Sequence, residues 1–210
     1  MDEAEFCRLW HLFQEVIDGN KEYLNSLDAA IGDADHGTNM ARGMEKAVAA
    51  CDQPEGGLRV TAKAIAMAML STVGGASGAL WGSGLLKFAA AIPEAVACSD
   101  REFAGAVDAF VSSIRDRGKA NLGDKTMVDV FLPARDRLIA GVEAGEALPA
   151  IAEVLVEATA AWALETKDLI ALKGRAAYLG ERSRGHVDPG AFSSSLWFLS
   201  LSRALAERSG

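Results

Sequence analysis

No stretch of this sequence is apolar for long enough to cross a bilayer. The uncharged run Ala64–Leu70 is seven residues, where a spanning helix needs roughly 20. Basic residues are in the minority, 21 against 29 acidic ones, for a formal charge of -8. That deficit argues against a nucleic-acid partner, which requires a basic face, and no basic stripe offers itself to a membrane surface. The opening Met1-Asp2-Glu3-Ala4-Glu5 is acidic where a signal peptide is basic, so a cytoplasmic protein is expected. Cysteine is scarce and odd in number. Cys7, Cys51 and Cys98 match no metal-ligand spacing and read as reduced, mostly buried thiols. No segment alternates apolar and polar residues, which removes the signal for strands. Neither of the common phosphate-binding loops is present: no Gly-Lys-Ser/Thr ends a glycine loop and no Gly-x-Gly-x-x-Gly occurs.

What remains is helical periodicity over a length of 210 residues that suits a single domain, 1–210. Phe6, Leu9, Trp10, Phe13, Val16 and Ile17 mark a first helix from about Glu3 to Ile17, opened by Asp2 and Glu5 in capping-box spacing. A short helix follows from about Lys21, and the next starts near Gly37 or Thr38 and runs to about Ala50. Pro54-Glu55-Gly56-Gly57 breaks the chain, after which Val60–Thr72 and Ala79–Ile92 predict buried helices. Further helices are expected at Arg101–Arg117, from about Met127 to Gly141 with a kink at Pro133, at Leu148–Ala171 as one helix or two, and at Ala191–Ala206. The expected fold is all-α, with about eight helices joined by short turns.

Three carboxylates fall within eight residues at Asp28, Asp33 and Asp35, with Gly32 and Gly37 between and beside them. Carboxylates this close repel unless a cation sits among them. Mg²⁺ fits, because it takes oxygen ligands at about 2.1 Å and completes its shell with substrate phosphates. A plainer alternative makes these aspartates caps of the following helix. An EF-hand does not fit, since counting from Asp33 puts Gly at position 5 and Met44 at position 12. Val73-Gly74-Gly75-Ala76-Ser77-Gly78 could cradle phosphate at a helix start, or serve only as a tight corner between helices. Gly118–Met127 is a polar loop, and Gly174–Gly190 is the longest stretch without helical periodicity. Long ordered loops are usually functional. Alternate loops of an antiparallel bundle share one end, so these four segments are expected to converge on a nucleotide–Mg²⁺ site.

These motifs together, from Asp28 and Gly32-Asp33-Ala34-Asp35-His36-Gly37 through Gly123-Asp124-Lys125-Thr126-Met127 to Gly174-Arg175-Ala176 and His186-Val187-Asp188-Pro189-Gly190-Ala191, resemble the nucleotide-binding L subunit of dihydroxyacetone kinase. The resemblance spans nearly the whole chain. It implies an eight-helix antiparallel up-and-down barrel with the nucleotide at one mouth. It implies that Asp28, Asp33 and Asp35 hold two Mg²⁺ bridging the phosphates of ADP or ATP, and are the catalytic residues. His36, Gly37, Thr38 and Asn39, with Ala76 and Ser77, would contact the phosphate and ribose side. Gly118, Met127, Arg175, Asp188, Pro189 and Gly190 would complete the nucleotide pocket. Ala177, where Ser is common, and Arg184 depart from the family pattern away from the metal ligands.

The resemblance also implies partners: a K subunit that holds dihydroxyacetone covalently on a histidine, and a phosphohistidine carrier M subunit of the phosphotransferase system that recharges bound ADP. His11, His36 and His186 are then not the substrate-holding histidine, and His11 reads as a surface residue. Two alternatives stand beside this. One is an ATP-dependent kinase subunit for another small ketose or sugar acid. The other is a nucleotide-sensing module without turnover that binds a transcription regulator. A homodimer is also open.

Overall fold

The structure, a computed structural model, describes residues 1–52 and 56–206. The expected break at Pro54-Glu55 lies outside the described residues. Among the described residues nine α-helices follow in order: α1 Glu3–Gly19, α2 Lys21–Ile31, α3 His36–Val48, α4 Leu58–Thr72, α5 Gly75–Ala91, α6 Asp100–Gly118, α7 Val128–Glu143, α8 Leu148–Glu165 and α9 Pro189–Ala206. Two 3₁₀ segments, Thr166–Asp168 and Arg175–Ser183, lie between α8 and α9. No strand occurs among the described residues, as the missing alternation predicts.

Helix starts are encoded locally. Asp2 Oδ1 accepts from the Glu5 N–H at 2.8 Å while Glu5 Oε2 accepts from the Asp2 N–H at 2.9 Å, and Ser99 and Glu102 repeat this reciprocal box at α6. Each box satisfies donors that a helix start leaves orphaned. Expected and observed boundaries differ most at α8, which ends at Glu165 and not near Ala171. Beyond that point the Thr166 and Leu169 carbonyls accept from the Lys125 ammonium, and the helix gives way. α7 continues through Pro133.

Packing closes eight of the nine helices into a ring. α1 lies against α3, α3 against α4, and so on in chain order to α8 against α9, and α9 returns to α1. α2 stands outside the ring and packs on α3, α9 and the second 3₁₀ segment. Residues just ahead of or within the first turns of α3, α5, α7 and α9 line one cleft, so these four helices start at the same end and their neighbours run the other way. The opposite end is tied shut: Asp2 bridges Ala97, Thr61 Oγ1 donates to Glu3 at 2.5 Å, and the Leu148 N–H donates to Asp100 at 3.0 Å.

Aromatic side chains fill the ring. Trp81 of α5 meets Trp10 and Phe13 of α1, Phe110 of α6 and Phe131 of α7, with ring centroids 5.3–6.4 Å apart. The indole N–H groups of Trp10, Trp81 and Trp197 are buried there without an acceptor. Small residues on α5 bring its neighbours close: a side chain at Gly84 would stand 2.6 Å from the Phe110 ring. Cys7, Cys51 and Cys98 are buried, as expected, and His11 is on the surface beside Asp52 at 3.5 Å. Among the described residues no helix is long and apolar enough to cross a membrane.

Candidate nucleotide and metal site

The cleft at the open end has a volume of about 340 Å³, within the range of small-molecule sites. Its first wall is the aspartate segment. Asp28 lies in the last turn of α2, buried, and its Oδ2 accepts from the N–H groups of Asp35 and His36 at 2.9 and 3.2 Å. One aspartate thus caps α3 from the preceding helix, while Asp35, at the cap position itself, makes no such bond. The capping alternative holds for Asp28 alone. One ligand atom from each of Asp28, Asp33 and Asp35 lies within 4.8 Å of the others, a spacing suited to a shared hard cation. Ala34, between two of them, has φ 64°, a conformation costly for a residue with a Cβ. A side chain at Gly32 would collide with the Asp28 carboxylate, 2.0 Å away.

His36 begins α3 with its ring buried. Burial holds its pKa down to about 4 against the pull of Asp28 and Asp35, so the ring is neutral. Ser193 Oγ donates to the Gly190 carbonyl and therefore accepts from His36 Nε2, 3.0 Å away. Nδ1 is left as an acceptor for the Ser77 hydroxyl at 3.4 Å. This chain joins α3, α5 and α9 behind the cleft.

The second wall is α5. The helix begins at Gly75, so the glycine turn is its own first turn, and Ala76 and Ser77 face the cleft. Leu80, Ile114, Met127 and Val128 form an apolar side suited to a base. Gly118 ends α6, and Asp188, Pro189 and Gly190 open α9 beside Met127. Burial pushes the Asp188 carboxyl up to about 7; the Ala191 N–H and Lys125 oppose this, and Asp129 and Asp28 add to it. Arg175, at the start of the second 3₁₀ segment, reaches across to Asp33 with Nη2–Oδ2 at 3.0 Å. Four helix N-termini meet here, each presenting positive charge to an anion. In an acidic chain, Arg117, Lys125, Lys173 and Arg175 line this cleft.

The structure therefore gathers Asp28, Asp33, Asp35, His36, Asn39, Ala76, Ser77, Gly118, Met127, Arg175, Asp188, Pro189 and Gly190 around one cleft. Gly37 and Thr38 are not in its lining. Gly37 is pressed against the Lys21 carbonyl, and Thr38 exchanges two hydrogen bonds with Asn25, both at 3.0 Å, so these residues seat α3 on α2. Their sequence position next to the aspartates gave no sign of which face they take. Sequence reasoning also passed over Lys125, which is buried at the cleft.

Residues 30–203 match the family model described as the DAK2 domain. This chain belongs to the DAK2 family. It is 40% identical over 195 residues to the PTS-dependent dihydroxyacetone kinase ADP-binding subunit DhaL of Lactococcus lactis, covering 92% of this chain and 93% of that one. It is 38% identical over 198 residues to the PEP-dependent dihydroxyacetone kinase ADP-binding subunit DhaL of Escherichia coli, covering 92% of each. The fold matches the crystal structure of C. freundii dihydroxyacetone kinase in complex with AMP-PNP and Mg²⁺ with a TM-score of 0.73, at 22% identity over 94% of this chain and 33% of that one.

Proposed function

We propose that this DAK2-family chain is the ADP-binding subunit of a dihydroxyacetone kinase, passing phosphate from a Mg²⁺-bound nucleotide to dihydroxyacetone held on a separate K subunit. The observation that carries this reading is the set of three carboxylate oxygens within 4.8 Å of one another, in a cleft where four helices begin. Phosphoryl transfer asks the protein for in-line positioning and charge neutralisation more than for covalent help. Asp28, Asp33 and Asp35 would hold two Mg²⁺, which supply the neutralising charge when bound.

The rest of the cleft binds and orients. Ser77 and the first turn of α5 lie where phosphate oxygens would be received. Leu80, Ile114 and Met127 exclude water from the base, and Arg175 stands across the opening from Asp33. His36, the histidine that lines the cleft, is neutral and committed on both ring nitrogens to serines, so it does not serve as the group that holds the sugar. A partner must bring the acceptor to the open end. The names of the relatives, PTS-dependent or PEP-dependent and ADP-binding, support a bound ADP; on this reading a phosphohistidine carrier M subunit recharges it, in the cytoplasm.

The test is mass spectrometry of nucleotide retained through purification. The natural chain is expected to carry ADP, and Asp33→Asn to lose it while keeping its helical circular dichroism and a cooperative melt. Free exchange of the nucleotide, with turnover on ATP and K subunit but no phosphocarrier, would sink the recharging scheme. Loss of folding in Asp33→Asn would mean that the aspartates are structural.

A further inference from the structure

Lys125 sits in a polar, glycine-marked loop and is nonetheless 1% exposed. Its backbone is left-handed, with φ 61°. The loop is held in that shape by Asp129, whose carboxylate accepts from the Gly123 N–H at 2.5 Å and the Thr126 N–H at 2.7 Å. From there the Lys125 ammonium donates to the carbonyls of Thr166, Leu169 and His186 at 2.7, 3.3 and 2.5 Å. An ammonium has three N–H donors. All three are taken, so none is left for a phosphate.

The three carbonyls belong to segments far apart in sequence. Thr166 and Leu169 lie just past α8, and His186 lies three residues ahead of α9. Between them runs the stretch that carries Arg175, and immediately after His186 come Asp188, Pro189 and Gly190 of the cleft wall. Neighbouring bonds fasten the same junction: the Asp188 N–H donates to Thr166 Oγ1 at 2.9 Å, the Gly185 N–H to the Lys167 carbonyl at 2.7 Å, and the Leu172 N–H to the Asp124 carbonyl at 3.1 Å.

We propose that Lys125 is a positioning residue for nucleotide binding: an internal cation that gathers three backbone carbonyls and so fixes the 170–190 segment against the start of α7. It does not ligate phosphate. A neutral side chain there takes a donor from three carbonyls, one buried and two half-buried, and leaves only the Thr166 carbonyl another, the Leu169 N–H at 3.2 Å, an arrangement that favours opening of the segment to water. Opening displaces Arg175 and the Asp188–Gly190 wall together. The proposal rests on the nucleotide reading for its consequence, but its structural half can be tested without any nucleotide.

Lys125→Met, which keeps length and removes the charge, is compared with the natural chain in two measurements. Hydrogen exchange of the ligand-free proteins is expected to be faster at 170–188 in the variant and unchanged in α1, α4 and α6. Titration with AMP and with ADP in Mg²⁺ is expected to show both weakened by a similar factor, roughly tenfold to a hundredfold, while Mn²⁺ binding by the aspartates without nucleotide is unchanged. Equal exchange at 170–188 in the two proteins overturns the proposal. So does a loss confined to ADP, which would make Lys125 a phosphate ligand, or unchanged affinity well below the melting temperature, which would make it a purely structural residue. If the natural chain binds neither nucleotide, the functional reading falls, and the exchange measurement still decides the role of Lys125. Should Lys125→Met not fold, Lys125→Gln is read by the same measurements.

Discussion

Asp188 is the residue whose protonation the fold changes most plainly. Its ordinary value of 3.8 is pushed up to about 7, chiefly by burial. The folded chain therefore holds this proton more tightly than the unfolded one, and stability from this group falls as pH climbs from about 4 to about 7, then levels off. His36 does the reverse. Its value drops from 6.5 to about 4, so the unfolded chain takes the proton first, and stability from this group rises with pH over about 4 to 6.5. Within the shared window the two slopes oppose each other. Asp188→Asn removes the falling slope while its amide oxygen still accepts from the Ala191 N–H. In urea unfolding of the metal-free protein across pH 4–8, the variant is expected to gain on the natural chain as pH rises, by an order of a few kcal/mol at pH 8, since each pKa unit is worth about 1.4 kcal/mol. Parallel profiles would mean that Asp188 is ionised throughout.

At the scale of the element, the α4–α5 corner separates two readings of one glycine-rich turn. Gly78 serves the corner: a Cβ there would lie 2.0 Å from the Val73 carbonyl oxygen, a backbone atom that has little room to move. Gly78→Ala is expected to lower stability by about 1–3 kcal/mol, measured as a drop in urea midpoint at unchanged slope. Gly74, Gly75, Ala76 and Ser77 serve the cleft. Elements of this kind were legible because their signals are local: period, capping boxes and glycine placement put most helices within a few residues of where they are. What the sequence hid depends on distant partners. α8 stops short of its expected end, and just past it the Thr166 and Leu169 carbonyls accept from Lys125, 41 residues away in sequence for Thr166; nothing in the periodicity of 148–171 reports that. The same lysine stood unremarked in its motif, since a polar glycine-marked context says nothing of burial. Thirteen of the residues expected at the site line the cleft, because motif order carries topology. Gly37 and Thr38 lie outside that lining, because the choice of helix face at a first turn depends on where α2 packs.

For the molecule as a whole, an even ring of alternating helices gathers every second connection at one end, and this makes a site from segments spread between residues 28 and 190. The same geometry leaves the three carboxylates of Asp28, Asp33 and Asp35 close together, with the Arg175 guanidinium, at 3.0 Å from Asp33, as the one counter-charge in salt-bridge contact among the described residues. Binding that neutralises them draws on all four walls at once, so it stabilises the fold and not just the loops. A ligand at a hundred times its Kd adds about 2.7 kcal/mol, and for a chain of this size each kcal/mol moves the melting temperature by about 2–4 °C. Mg²⁺ and ADP together are expected to raise the melting point of nucleotide-stripped protein by about 5–10 °C. EDTA should reverse the rise, and Asp33→Asn should abolish it. ADP without a divalent ion is expected to give a much smaller shift, because the diphosphate then meets bare carboxylates. An equal shift with and without the ion would remove the aspartates from the binding site and leave the helix starts as the whole of it.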